Sequence, residues 1–189
     1  MATTAKDQTA QASITHNLGI AYFILGNYGA ARSCFQHVMG ITPANAVFRQ
    51  APLTYGVVAR ASAAGCLAQL GEFVEAATLV QEALRAAEAT ALPWDLVVAI
   101  GFQGDIHLQQ GTFTSGVAAL ERGVALCESA DLAFFSRGIS ARLGYAYART
   151  GRAGEGVLLL EAMGQQLDEP GAGGLPIHFK VLTSPSHIY

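Results

Sequence analysis

Five histidines, three cysteines and fourteen carboxylates are the residues of this chain that could hold a metal, attack a substrate or move a proton. The histidines, His16, His37, His107, His178 and His187, show neither an HExxH pair nor any other ligand spacing, so no metal site is expected. Cys34, Cys66 and Cys127 are odd in number and lack a CxxC pair, which suits buried thiols better than a disulfide framework. Asp95 and Asp131 follow loops and read as the first residues of helices, where a negative charge suits the helix dipole. Glu121 and Glu128 read as a solvated helix face. No GxSxG elbow and no GxxxxGK[ST] phosphate loop occurs, and the GAGG at 171–174 lacks the strand-then-helix context of a dinucleotide loop. No catalytic residue and no cofactor is therefore expected, and the chain reads as a non-enzyme.

Composition narrows the classes further. Of 189 residues, 51% are apolar and only 13% charged, about half the usual share of charge. The net charge of −3 leaves no Lys/Arg-rich face for nucleic acid. The two lysines, Lys6 and Lys180, lie near opposite ends, so no polybasic patch faces a membrane. Mean hydropathy is positive (+0.33), yet Arg60, Asp95, glycines and glutamines break every apolar run before it reaches a membrane span. The polar start, MATTAKDQTAQAS, is not a secretory signal. A charge-poor cytoplasmic protein with an apolar surface is expected, the missing charge falling at seams between repeats, at the C-terminal face and in a groove.

What positions these residues is a repeat. LGIAYFILGNY (18–28), AAGCLAQLGEF (63–73), QGDIHLQQGTF (103–113) and LGYAYARTGRA (143–153) share small residues, an apolar stretch and a glycine. The glycines Gly26, Gly71, Gly111 and Gly151 are spaced 45, 40 and 40 residues apart. Each lies between two stretches of helical periodicity. After Gly71, for example, Phe73, Ala76, Ala77, Val80, Ala83, Leu84 and Ala87 form one apolar face. Strand alternation and Asn-Gly or Asp-Gly hairpin pairs are nearly absent. A helix that stops and reverses within two or three residues favours a left-handed cap, which glycine adopts cheaply. Small residues at Gly19, Ala64, Gly104 and Gly144 let paired helices approach, and Tyr28, Phe73 or Phe113 would plug the gap to the next pair. One pair cannot bury both of its apolar faces, so the pairs must stack.

These residues resemble the tetratricopeptide repeat, whose pattern is W-x2-L-G-x2-Y, then A-x3-F-x2-A and a late proline in about 34 residues. Residues 12–43 carry Leu18, Gly19, Tyr22, Gly26, Tyr28, Ala31, Phe35 and Pro43 in register, with Thr15 replacing the first aromatic. Residues 57–88 keep Leu67, Gly71, Phe73, Ala76 and Ala83. Residues 97–128 keep Gly104, Gly111, Phe113 and Leu120, and residues 137–168 keep Leu143, Gly144, Tyr147, Gly151 and Leu160. The resemblance implies an all-α right-handed superhelix of about four helix-turn-helix repeats over 12–168. Residues 1–11 are expected to be disordered, and 169–189 a Gly/Pro linker that could open a truncated fifth repeat. The long period resembles the C-terminal arrays of bacterial signalling ATPases and adenylate cyclases, and nine arginines against two lysines suit a GC-rich bacterial genome.

In such repeats the first helix of each pair lines a concave groove, which the resemblance makes the partner site. By register the groove residues are His16, Asn17, Ile20 and Phe23, then Ser62 and Gln69. Phe102, Asp105 and Gln109 follow, and last come Arg142, Tyr145 and Arg149. His16 and Ile20 stand where chaperone-binding members place Lys and Asn, so a carboxylate clamp is not implied. Arg142 and Arg149 suggest a helical or extended peptide of acidic character. The expected function is a non-catalytic protein-interaction scaffold within a larger bacterial signalling protein, with a protein or peptide partner. Peptide or small-molecule sensing and self-association are the alternatives.

Overall fold

The computed structural model describes residues 2–42 and 54–167. They form eight helices in four antiparallel pairs and, among the described residues, no strand. α1 (Ala2–Ile24) pairs with α2 (Tyr28–Ile41), α3 (Tyr55–Gln69) with α4 (Phe73–Thr90), α5 (Pro93–Gln109) with α6 (Phe113–Ser129), and α7 (Ala133–Arg149) with α8 (Ala153–Leu167). The first helices pack on one another in sequence, α1 on α3, α3 on α5 and α5 on α7, and make an inner layer. The second helices form an outer layer, each seated on its own partner, with α2, α4 and α6 also packed against the inner helix that follows. The result is the all-α superhelix expected from the repeat pattern.

Each pair is closed by the same device. Gly26, Gly71, Gly111 and Gly151 take φ of 76°, 81°, 74° and 82°, the left-handed region. The next residue then donates its backbone N–H back into the first helix: Asn27 to Tyr22, Glu72 to Leu67, Thr112 to His107 and Arg152 to Tyr147, at 2.8–2.9 Å. This Schellman closure satisfies carbonyls that the helix end would leave bare. The turn between α6 and α7 copies it without glycine, since Asp131 at φ 54° precedes a Leu132 N–H to Cys127 bond of 2.8 Å. Helices of 15 to 18 residues in the last three pairs absorb the length beyond a 34-residue unit.

Seven residues before each of these glycines stands a small residue, and nine after it a bulky one. A Cβ on Gly19 would lie 2.7 Å from the Phe35 ring, on Gly104 2.5 Å from Leu120, and on Gly144 2.9 Å from Leu160. The second pair makes the same match with Ala64 and Val80, both buried. α3 sits at the centre of the stack and is buried from Gly56 to Ala68 except at Arg60, which turns its guanidinium onto the Gly56 carbonyl at 2.7 Å. A helix enclosed on all sides must be small and apolar all round, and GVVARASAAGCLA is.

Asp95, read from the sequence as a dipole partner, has a second duty. Its fully buried carboxylate accepts the Thr54 N–H at 2.7 Å and the Thr90 hydroxyl at 3.0 Å, tying the start of α3 and the end of α4 to the start of α5. Two expectations change. Residues 2–11, expected to be disordered, are helical: α1 runs from Ala2, because ATTAKDQTAQAS holds no glycine or proline to stop a helix, and Ala12 is fully buried. Charge is also not missing from the seams, for Arg32 pairs with Glu72 and Glu75 from pair one to pair two, and Arg152 with Glu121 from pair four to pair three. The linker and fifth-repeat reading of 169–189, and Pro43, lie outside the described residues.

The register makes a direct prediction. Gly104→Ala drives a methyl into Leu120 and should cost about 1–3 kcal/mol by overpacking. Gly29→Ala, with open space around its Cβ, should be neutral or stabilising by up to about 1 kcal/mol. Urea titration of the two variants checks both; equal effects would contradict the packing described.

Candidate binding surface

The inner layer is less open than the sequence implies. Phe23 from α1 and Phe102 from α5 reach across α3 and meet edge to face, with ring centroids 6.4 Å apart at 89°. They meet over Gly65, where a Cβ would stand 2.6 Å from the Phe102 ring and 3.6 Å from Phe23. The absent side chain lets two aromatics fill the surface that a groove would use. Phe23 and Phe102 are buried, as is Ser62 on α3, so none of the three offers itself to a ligand. Their register is that of a groove; their packing is that of a core.

Asp105 and Arg142 neutralise one another. Arg142 Nε lies 2.6 Å from Asp105 Oδ1, both side chains are almost wholly buried, and the guanidinium also donates to the Gly138 carbonyl at 3.2 Å. Gly101 and Gly138 leave room for it, with a Cβ at either coming only to 4.0 and 3.5 Å of Nη1. Burial pushes the Asp105 carboxyl above its ordinary range, and the Arg142 charge pulls it back. This pair joins α5 to α7 inside the protein; it is not a peptide-binding cation.

His16 is also interior. Its ring packs between Phe35 and Tyr55, at centroid distances of 5.4 and 5.7 Å, and burial lowers its pKa to about 4. It is therefore a neutral core histidine at pH 7. Burial likewise raises Cys66 to about 12 and Cys127 to about 11, which keeps both as inert thiols. His107 is half-buried, its Nδ1 2.9 Å from the Thr112 hydroxyl beside the α5–α6 turn. Among the described residues no three His, Cys, Asp or Glu side chains converge as metal ligands.

The remaining register positions are open to different degrees. Asn17, Gln109, Tyr145 and Arg149 are exposed, and Ile20 and Gln69 are half-buried. Of these, Arg149, on the last turn of α7, lines a concavity. A cleft of about 490 Å³ is lined by Gly111, Thr112, Phe113, Thr114, Ser115, Arg149 and Thr150. Here Arg149 lies 4.3 Å over the Phe113 ring and donates to the Tyr145 hydroxyl at 2.8 Å. The guanidinium is thus stacked and braced while its charge stays at the surface. The opening lies at the edge where the internal turns gather, and the hydroxyls of Thr112, Thr114 and Ser115 line it. The sequence reading picked Arg149 and Tyr145 but missed the three hydroxyl residues and gave Phe113 only a packing role. Its signal was the turn itself, since the residue two places after the glycine faces the next pair.

Fold, closure and register together define the class: an all-α array of tetratricopeptide-like helix pairs. Residues 12–45 match the tetratricopeptide repeat family model, which spans α2 and the second half of α1. No curated protein matches the chain. Among solved structures, BtubC (BKLC) from P. vanneervenii is similar at a TM-score of 0.65 and 15% identity, over 87% of this chain and 66% of that one. The chain thus spans just under two thirds of BtubC's length. A kinesin-light-chain-type protein from Podosopora anserina, with nearly identical TPR-like repeats, is similar at a TM-score of 0.62 and 18% identity, over 89% of this chain and 81% of that one. At such identities the likeness speaks for the fold.

Two measurements test the assignment of interior roles. Arg142→Ala strands the Asp105 carboxyl and should cost about 3–5 kcal/mol, much of it restored by the apolar double replacement Asp105→Leu/Arg142→Met; denaturant unfolding reads both. His16 binds its proton more weakly folded than unfolded, so stability should hold above pH 6.5 and fall by on the order of 3 kcal/mol as the pH drops to about 4. In His16→Leu that part of the pH dependence should vanish.

Proposed function

We propose that this chain is a non-catalytic protein-interaction scaffold that captures an acidic, extended segment of a partner at the Arg149–Phe113 cleft. Tetratricopeptide repeats generally mediate protein–protein interaction, and the repeat match and all-α array support that class here. The observation that carries the finer reading is the stacked Arg149. It is a cation held in place by Phe113 and Tyr145 at a cleft mouth, whereas Arg142 is consumed by an internal partner. A planar guanidinium already fixed on an aromatic loses little freedom when it pairs with a carboxylate. The neighbouring hydroxyls of Thr114 and Ser115 add donors for the peptide backbone. The long repeat unit and the excess of arginine over lysine support a place as the partner-binding segment of a larger bacterial signalling protein.

Selection from a displayed random-peptide library tests the site. Binders should be enriched in Asp and Glu, and Arg149→Ala should weaken them about ten-fold, or about 1.4 kcal/mol, with helicity by circular dichroism unchanged. Raising the salt concentration should weaken them too. Binders indifferent to Arg149, or no binders at all, would remove the cleft as the recognition site.

A further inference from the structure

The first helix carries an apolar face that nothing in the described structure covers. Ile14 is 70% exposed, Leu18 is 48% exposed, and Ala21 on the same stripe is exposed as well. From Gln8 to Ile24, α1 holds no Asp, Glu, Lys or Arg. Counted back from the turn glycine, Ile14, Leu18 and Ala21 occupy the positions of Ala59, Ala63 and Cys66 in α3 and of Ile139, Leu143 and Ala146 in α7. Those six are all buried to 3% exposure or less. The helices that carry them pack against the second helix of the preceding pair, α2 on α3 and α6 on α7, as α4 does on α5; a Cβ on Gly123 of α6 would stand 3.2 Å from Ile139. α1 therefore presents a seat for a second helix of this repeat type.

The other end of the stack presents the matching part. Leu160 on α8 stands nine residues after its turn glycine, as Phe35, Val80 and Leu120 do on α2, α4 and α6. Those three are 0%, 2% and 0% exposed, whereas Leu160 is 43% exposed, since no inner helix among the described residues follows α8. Val157, on the turn before, is also exposed.

We infer that the α8 end of one copy docks on the α1 face of a second copy, continuing the stack across the molecular boundary. The occupant follows from an interface the chain already builds three times. The seat has the register of α3, α5 and α7, the insert has the register of α2, α4 and α6, and the face of α1 places no charge against it. Such a contact joins two different surfaces, so two copies do not satisfy each other and assembly proceeds head to tail beyond the dimer, into an open chain or a larger ring. It is separate from the Arg149 cleft, which lies along the edge of the internal turns.

Sedimentation velocity and light scattering on the full chain test this. The average mass should rise with concentration past that of a dimer. The double variant Ile14→Glu/Leu18→Glu alters two exposed side chains and should remain helical by circular dichroism. It should be monomeric alone, and its intact α8 end should still bind wild-type α1. An equimolar amount added to wild-type protein should therefore stop chain growth and lower the average mass. A wild-type monomer at the highest soluble concentration would overturn the inference, as would a dimer that grows no further. Wild-type chains unaffected by the variant would overturn it too. The Arg149→Ala variant should assemble like wild type, so failure of the cleft and failure of end-to-end docking read out separately.

Discussion

Every pair in this protein depends on one match of sizes: a small residue on the first helix facing a bulky one on the second. Gly19 with Phe35, Gly104 with Leu120 and Gly144 with Leu160 leave no space for a methyl group, and Ala64 with Val80 repeats the match at a slightly larger scale. The match fixes how closely two helices approach and at what register. Because the turn glycine stands at constant distance from both partners, closure and packing are set by the same count of residues. On the enclosed inner helices a low charge content follows, since α3, buried along almost its whole length, leaves few positions where a charged group can reach water.

The same closeness decides where recognition can happen. A wide groove needs inner helices that stand apart, with their shared face bare. Here Gly65 admits Phe23 and Phe102 over the middle of α3, and Arg142 is drawn down to Asp105 between α5 and α7. A buried ion pair of this kind adds less to net stability than it takes away when broken. It ties α5 to α7 and so links the third and fourth pairs. Polar function moves to the edge of the stack, where the turns expose hydroxyls and Arg149 rests on Phe113.

A stack of like units also has two unlike ends. Ile14 and Leu18 at one end, and Leu160 at the other, are exposed where, among the described residues, no neighbour takes the place that buries their counterparts. In repeat architectures stability is close to a sum over units and seams, so each open end forgoes one seam. That makes the ends the natural place for association, chemically distinct from the charged and hydroxyl-bearing cleft.

The sequence by itself determined the helix pairs, the four turns and the size match, because each depends on residues close in the chain. A glycine that must take positive φ, an apolar face at helical spacing and a small residue a fixed distance away are local facts. So is the absence of any paired catalytic or ligand spacing. Tertiary structure decided which register positions face solvent. His16 is held between Phe35 and Tyr55, Phe23 meets Phe102 across a third helix, and Arg142 finds Asp105, each partner coming from a distant stretch of chain. Register names the face of a helix on which a side chain stands. Whether that face is open depends on the size of what its neighbours send across it, and no count along one helix contains that.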